Sequence, residues 1–149
     1  MELTDVATRF ALAVLAGAVL GINRELHRKP AGLRTHALVS LGSALAVVLV
    51  LSVSGEAPDA LSRVVQGILT GIGFIGAGVI MHHDAQHRVE GLTTAASIWV
   101  AAGMGMACGL ARWDLGALAL IFTLLLLIVG GPIERFFKRL LRPGNEDET

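Results

Sequence analysis

Apolar residues come in five runs near twenty residues long, 6–22, 35–53, 64–81, 92–111 and 115–131, separated by short polar stretches. A bilayer core about 30 Å thick is crossed by roughly twenty apolar helical residues, so each run predicts a transmembrane helix. The first is the least regular, because Arg9 stands near one end, where it can snorkel or pair with Asp5 one turn earlier. After Gly130, Gly131 and Pro132 the pattern changes. Ile133, Phe136, Phe137, Leu140 and Leu141 share one helical face, with Glu134, Arg135, Lys138, Arg139 and Arg142 between them. Residues 132–142 therefore predict a short amphipathic helix along the membrane interface, drawn to anionic lipid. The acidic stretch 143–149 predicts a disordered tail. The expected fold class is all-α: a polytopic membrane protein whose five transmembrane helices form one domain, 1–131, followed by the interfacial helix.

Composition supports a bilayer as solvent, since 54% of the 149 residues are hydrophobic and 16% charged, with mean hydropathy +0.68. Twelve basic residues balance twelve acidic ones, so net charge predicts no nucleic-acid partner. The N terminus places Glu2 and Asp5 ahead of Arg9, unlike the positive start of a secretory signal, so the first run is expected to remain as a helix.

The position of the charges gives an orientation. Helices alternate sides, so the polar segments 23–34 and 82–90 share one face with the C-terminal tail. That face carries Arg24, Arg28, Lys29, Arg34, Arg88, Arg135, Lys138, Arg139 and Arg142, against Arg9, Arg63 and Arg112 opposite. The positive-inside rule puts the first set in the cytosol, with the N terminus outside and the C terminus inside.

Small residues recur at four-residue spacing. Ala13, Gly17 and Gly21 on the first helix, Gly67 and Gly71 on the third and Gly105 and Gly109 on the fourth predict close helix packing. Gly73, Gly76 and Gly78 add to the third. These faces permit a homo-oligomer and serve packing within one chain equally well. Polar residues form strips: His36, Ser40 and Ser43 on the second helix, then Thr94, Ser97, Ala101, Gly105 and Cys108 on the fourth. Such strips line a path, or hydrogen-bond one helix to another; the second is the plainer account. Gln66 and Thr70 lie one turn apart on the third helix, and an intramembrane glutamine needs another helix or water to face.

No Asp or Glu lies deep within any run, which argues against a conventional ion carrier, because Mg²⁺ favours carboxylate and water oxygens. Glu25, Asp84 and Glu90 stand at the cytosolic ends, where they can pair with Arg24, Arg34 or Arg88. His83 and His87, four apart, are the candidate metal ligands, and a polar loop explains them more simply. Cys108 is the lone cysteine and reads as a small buried residue. No nucleophile elbow, phosphate-binding loop or zinc spacing is present, so neither an enzyme nor a cofactor is expected.

Three stretches together resemble the MgtC/SapB family of bacterial inner-membrane proteins: GINRELHRKPAGLRTHALVSLGSAL from Gly21, GILTGIGFIGAGVI from Gly67 and EGLTTAASIWVAAGMGMACGL from Glu90. The resemblance covers about residues 10–112. Position by position it marks Arg24, Glu25, Lys29, Pro30, Gly32, Arg34, Thr35 and His36, then Gly71, Gly73, Gly76 and Gly78, then Gly91, Thr93, Thr94, Ser97 and Trp99. Asn23 departs from it, standing where many members have an acid. The resemblance is to the short form, without the ACT-like domain of longer relatives. It implies a role in magnesium limitation and, in some pathogens, survival inside host cells and so virulence. It further implies regulation through a membrane-protein partner such as the ATP synthase. The residues expected to bind that partner or a ligand are Arg24, Glu25, Lys29, Arg34, Thr35, His36, Glu90, Thr93, Thr94 and Ser97. The alternative is a transporter or channel for Mg²⁺ or another small solute, its path running along the polar strips of the second, third and fourth helices; Ser40, Ser43, Gln66, Thr70, Trp99 and Cys108 are the intramembrane polar candidates.

Overall fold

Each apolar run seeds one helix, and the computed structural model describes residues 1–55, 57–83 and 88–141. The helices are α1 (Leu3–Leu26), α2 (Leu33–Ser54), α3 (Pro58–Val79), α4 (Leu92–Gly109) and α5 (Trp113–Leu141). At 1.5 Å per residue the shortest, α4 with 18 residues, reaches about 27 Å, close to the hydrocarbon thickness. All five are long and apolar enough to cross a membrane. The protein is a polytopic, all-α membrane protein, with one small exception. Two strands, β1 (Met81–His83) and β2 (Arg88–Glu90), pair antiparallel with Met81 opposite Glu90, where the sequence predicts only a polar loop.

The helix ends differ from the apolar runs for local reasons. Nothing in Asn23 to Leu26 breaks a helix, so α1 continues past residue 22 and carries Arg24 and Glu25, which the sequence places in a loop. It stops where Arg28 and Ala31 turn left-handed around Pro30. Likewise α3 begins before residue 64, because Pro58 has its φ preset for the first turn and Asp59 complements the helix dipole. The predicted break at 132 is absent: α5 runs through Pro132 to Leu141, so the amphipathic stretch is the end of α5 rather than a separate helix. A proline removes one helical hydrogen bond, and the flanking turns hold the rest. Arg142 and the acidic tail lie outside the described residues.

Helix α4 is the hub, half buried and packed against α1, α2, α3 and α5. The tightest part is the trio α1, α2 and α4, whose facing residues are mostly small. A Cβ on Gly17 would lie 2.5 Å from His36 O, and one on Gly21 2.6 Å from Leu33 Cα, so α1 meets α2 backbone to backbone. On the other side of α2, a Cβ on Gly105 would overlap the Ser40 carbonyl and one on Gly109 would lie 2.8 Å from Val47 Cβ. Leu20, Val47, Ile98 and Met104 fill the remaining interior. Helices α3 and α5 sit outside this trio and leave large apolar residues such as Phe74, Phe122 and Leu126 exposed, as lipid-facing helices do.

Packing corrects part of the glycine reading. Helix α3 turns Ile68, Ile72, Gly76 and Val79 toward α4, and Gly76 meets Ala95. Gly67, Gly71, Gly73 and Gly78 point elsewhere on the helix, and nothing described lies within 4 Å of a Cβ built on them.

Candidate functional site

Antiparallel connection gathers the C-terminal turn of α1, the N-termini of α2 and α4, the end of α3 and the later turns of α5 at one end of the bundle. Arg24, in the last turn of α1, projects between helices instead of into solvent and is only 5% exposed. Its Nη2 donates to Thr94 Oγ1 at 2.8 Å, and its Nε has no hydrogen-bond partner among the described residues. No carboxylate among the described residues lies within 4.0 Å of it. This corrects the expectation of a loop arginine beside Glu25.

Thr94 belongs to the first turn of α4, whose entry is fixed by Gly91. That residue has φ 94°, and a Cβ there would overlap the Val79 carbonyl, so only glycine lets the chain leave β2 against the end of α3. No side chain among the described residues caps this helix end. The first intrahelical bond is donated by Ala95 N to Gly91 O at 2.8 Å, which leaves the amides of Leu92, Thr93 and Thr94 ahead of it.

Deeper in, His36 Nδ1 faces Gly32 O at 2.9 Å and Nε2 lies 3.0 Å from Ser97 Oγ, which in turn is 2.8 Å from Thr94 O. A carbonyl only accepts, so Nδ1 carries a hydrogen, and the single Ser97 hydroxyl hydrogen is within reach of both His36 and Thr94 O. The polar strips of α2 and α4 therefore face each other. Ser43 donates to Val39 O within α2, while the buried Ser40 Oγ has no partner among the described residues. Cys108 is buried beside Ala13 and Ala44.

A cavity of about 650 Å³ opens at this end, walled by Arg24 and Lys29, by Glu90, Gly91, Thr93 and Thr94, and by Leu126, Leu127, Gly130 and Glu134 of α5. Around its outside, a shallower hollow of about 810 Å³ is lined by Glu25, Arg28, Lys29, Arg34 and Thr35. Glu25 forms no ion pair with Arg24 or Arg34; its Oε2 accepts from Leu33 N at 3.2 Å and caps α2, whose N-cap Gly32 has no side chain for that task.

Other candidates lie apart. Gln66 and Thr70 are exposed on α3, bonded only within their own helix, to Ser62 Oγ at 3.3 Å and Gln66 O at 2.9 Å. Trp99 is exposed on α4. His83 falls in β1, His87 and Asp84 lie outside the described residues, and no group of three metal-ligating side chains occurs among the described ones. Sequence reasoning missed Glu134, whose only signal is an acid in a basic segment. It also missed the reach of Arg9, whose Nη1 bonds the far end of α4.

Fold and site define a multi-pass α-helical membrane protein with a buried arginine-hydroxyl-histidine lattice at one end. The chain belongs to the MgtC family, whose model matches residues 10–136. It is 46% identical over 129 residues to SrpB of Synechococcus elongatus, covering 80% of this chain and 71% of that protein. It is 44% identical over 112 residues to MgtC of Salmonella typhimurium (strain LT2), covering 75% of this chain and 46% of MgtC. It is 41% identical over 128 residues to YhiD of Escherichia coli (strain K12), named as a proposed magnesium transporter, covering 81% of this chain and 58% of YhiD. No solved structure matches it.

Proposed function

We propose that this MgtC-family chain serves magnesium homeostasis in the bacterial inner membrane as a regulator, acting by contact with another membrane protein rather than by carrying the ion. The magnesium link rests on family membership and on the name of its relative YhiD. The regulator reading rests on one observation: the polar strips a solute path would use are turned on each other. Ser97 Oγ lies within hydrogen-bond distance of both His36 Nε2 and Thr94 O, and Gly105 closes α4 onto the Ser40 backbone. Helices α3 and α5 keep broad faces free for a partner. In this reading the nine-cation end faces the cytosol, the N terminus lies outside, and catalysis plays no part. The membrane ATP synthase is one partner the family resemblance offers.

The test pairs two measurements. Sealed vesicles carrying the protein are expected to show no Mg²⁺ flux above empty vesicles, and crosslinking in magnesium-starved cells is expected to capture a specific membrane protein. Flux that disappears in Ser97→Ala or Gln66→Ala would establish the transporter alternative instead.

A further inference from the structure

We propose that the cavity between the last turn of α1 and the N-terminus of α4 binds a singly charged phosphate-type oxyanion, with Arg24 as its principal ligand. The starting point is an imbalance of charge. A buried guanidinium without a counterion is costly, and such groups are held in proteins by an anion or a dense set of acceptors. Arg24 is 5% exposed, lines the cavity, uses Nη2 on Thr94 Oγ1, and has neither a partner for its Nε nor a counterion among the described residues. One hydroxyl oxygen does not offset its charge.

The second observation is the wall opposite. Helix α4 begins there with no side-chain cap from the described residues and with the amides of Leu92, Thr93 and Thr94 ahead of its first internal bond. A helix N-terminus carries partial positive charge and free donors, the combination that holds phosphate groups elsewhere. Arginine adds a planar fork of donors suited to paired oxygens. Lys29 supplies a further cation at the rim, in a cavity of about 650 Å³.

The rim also limits the ligand. Glu134 and Glu90 line the same cavity. Glu134 is paired with Lys138 at 2.6 Å, but Glu90 opposes a second negative charge. A phosphodiester or a monoanionic phosphate fits this field better than a dianion. Two sources supply that chemistry: the headgroup of an anionic phospholipid, with the apolar Leu126 and Leu127 beside its glycerol, or free phosphate from the aqueous side. The site does not depend on the magnesium reading.

The experiment uses the full chain in an uncharged detergent. One arm follows thermal unfolding with inorganic phosphate against chloride at matched ionic strength. The other follows retention of phosphatidylglycerol against diacylglycerol by native mass spectrometry. A saturable rise in melting temperature assigns a free anion, and selective retention of phosphatidylglycerol assigns the lipid; either supports the proposal. Arg24→Gln is expected to abolish the effect, and the exposed Lys29→Gln to weaken it severalfold; if Arg24→Gln does not fold, Lys29→Gln decides. Neither ligand binding above its control, or binding unchanged in Lys29→Gln, overturns it.

Discussion

Arg9 Nη1 donates to the Gly109 carbonyl oxygen at 2.6 Å, joining the start of α1 to the end of α4 across one hundred residues of sequence. Asp5 holds the guanidinium from one turn earlier, at 3.0 Å, and the Arg9 side chain is 13% exposed. The last carbonyls of a helix have no partner of their own, so Arg9 satisfies one and places a positive charge at the negative end of α4. Arg9→Gln is expected to lower stability by about 1.5–3 kcal/mol, the usual worth of a charged hydrogen bond. Asp5→Asn should lose less, because the bond to Gly109 remains. Reversible unfolding in a fixed mixed micelle measures both, and a wild-type midpoint for Arg9→Gln would show that the bond contributes nothing.

The glycines divide into two groups with opposite expectations. Gly17 and Gly105 touch the α2 backbone, so Gly17→Ala and Gly105→Ala must push helices apart, at about 1–3 kcal/mol each, the range for overpacking. Gly67 and Gly71 have open space, so Gly67→Ala and Gly71→Ala are expected to be neutral or to stabilise by up to about 1 kcal/mol through helix propensity. Melting of the four variants in one detergent makes the comparison. Loss of stability in the second pair would reveal a contact between copies of the chain.

Periodicity was enough to find the five spans, because a bilayer demands long apolar runs and little else yields them. Spacing of small residues alone misplaces the buried face of α3. Arg63, Gln66 and Thr70 make one side of that helix polar and exposed, and Ile68 and Ile72 on the opposite side, rather than Gly67 and Gly71, turn toward α4. Arg24 shows the same limit in the site. Beside Glu25, Arg28 and Lys29 it reads as one charge of a solvated loop, and its burial follows from Thr94, seventy residues away. His36 and Ser97 were legible as polar strips on two helices, while their mutual contact depends on how those helices are turned. Glu25 illustrates a subtler case: its neighbours suggest ion pairs, yet the uncapped start of α2 at Gly32 claims it.

The orientation can be tested with thiol labelling. Cys108 is buried among small residues, so Cys108→Ala gives a background without a native thiol. In that background Lys29→Cys lies at the cation-rich end and Asp59→Cys at the opposite one, both exposed. The positive-inside rule predicts that a membrane-impermeant maleimide labels Asp59→Cys in cells whose inner membrane is intact, and labels Lys29→Cys only after permeabilisation. The reverse pattern would invert the whole topology.

The contact between His36 and Ser97 carries the last prediction, because it separates a closed lattice from a lined path. Both residues are buried, and Nδ1 of His36 is committed to Gly32 O, so in the neutral ring Nε2 is an acceptor that shares the Ser97 hydroxyl hydrogen with Thr94 O. Ser97→Ala leaves that nitrogen buried without a donor, a loss of about 1–3 kcal/mol. Removing both partners costs less than the sum of the single losses, since the orphaned group disappears with its mate. A double-mutant cycle with His36→Ala should therefore give a coupling of about 0.5–3 kcal/mol. Ser97→Thr keeps the hydroxyl and should recover part of the loss, limited by its extra methyl in a tight interface. Additive effects, with Ser97→Thr no better than Ser97→Ala, would mean that water rather than His36 meets the hydroxyl. A hydrated strip of that kind is what the transporter alternative requires.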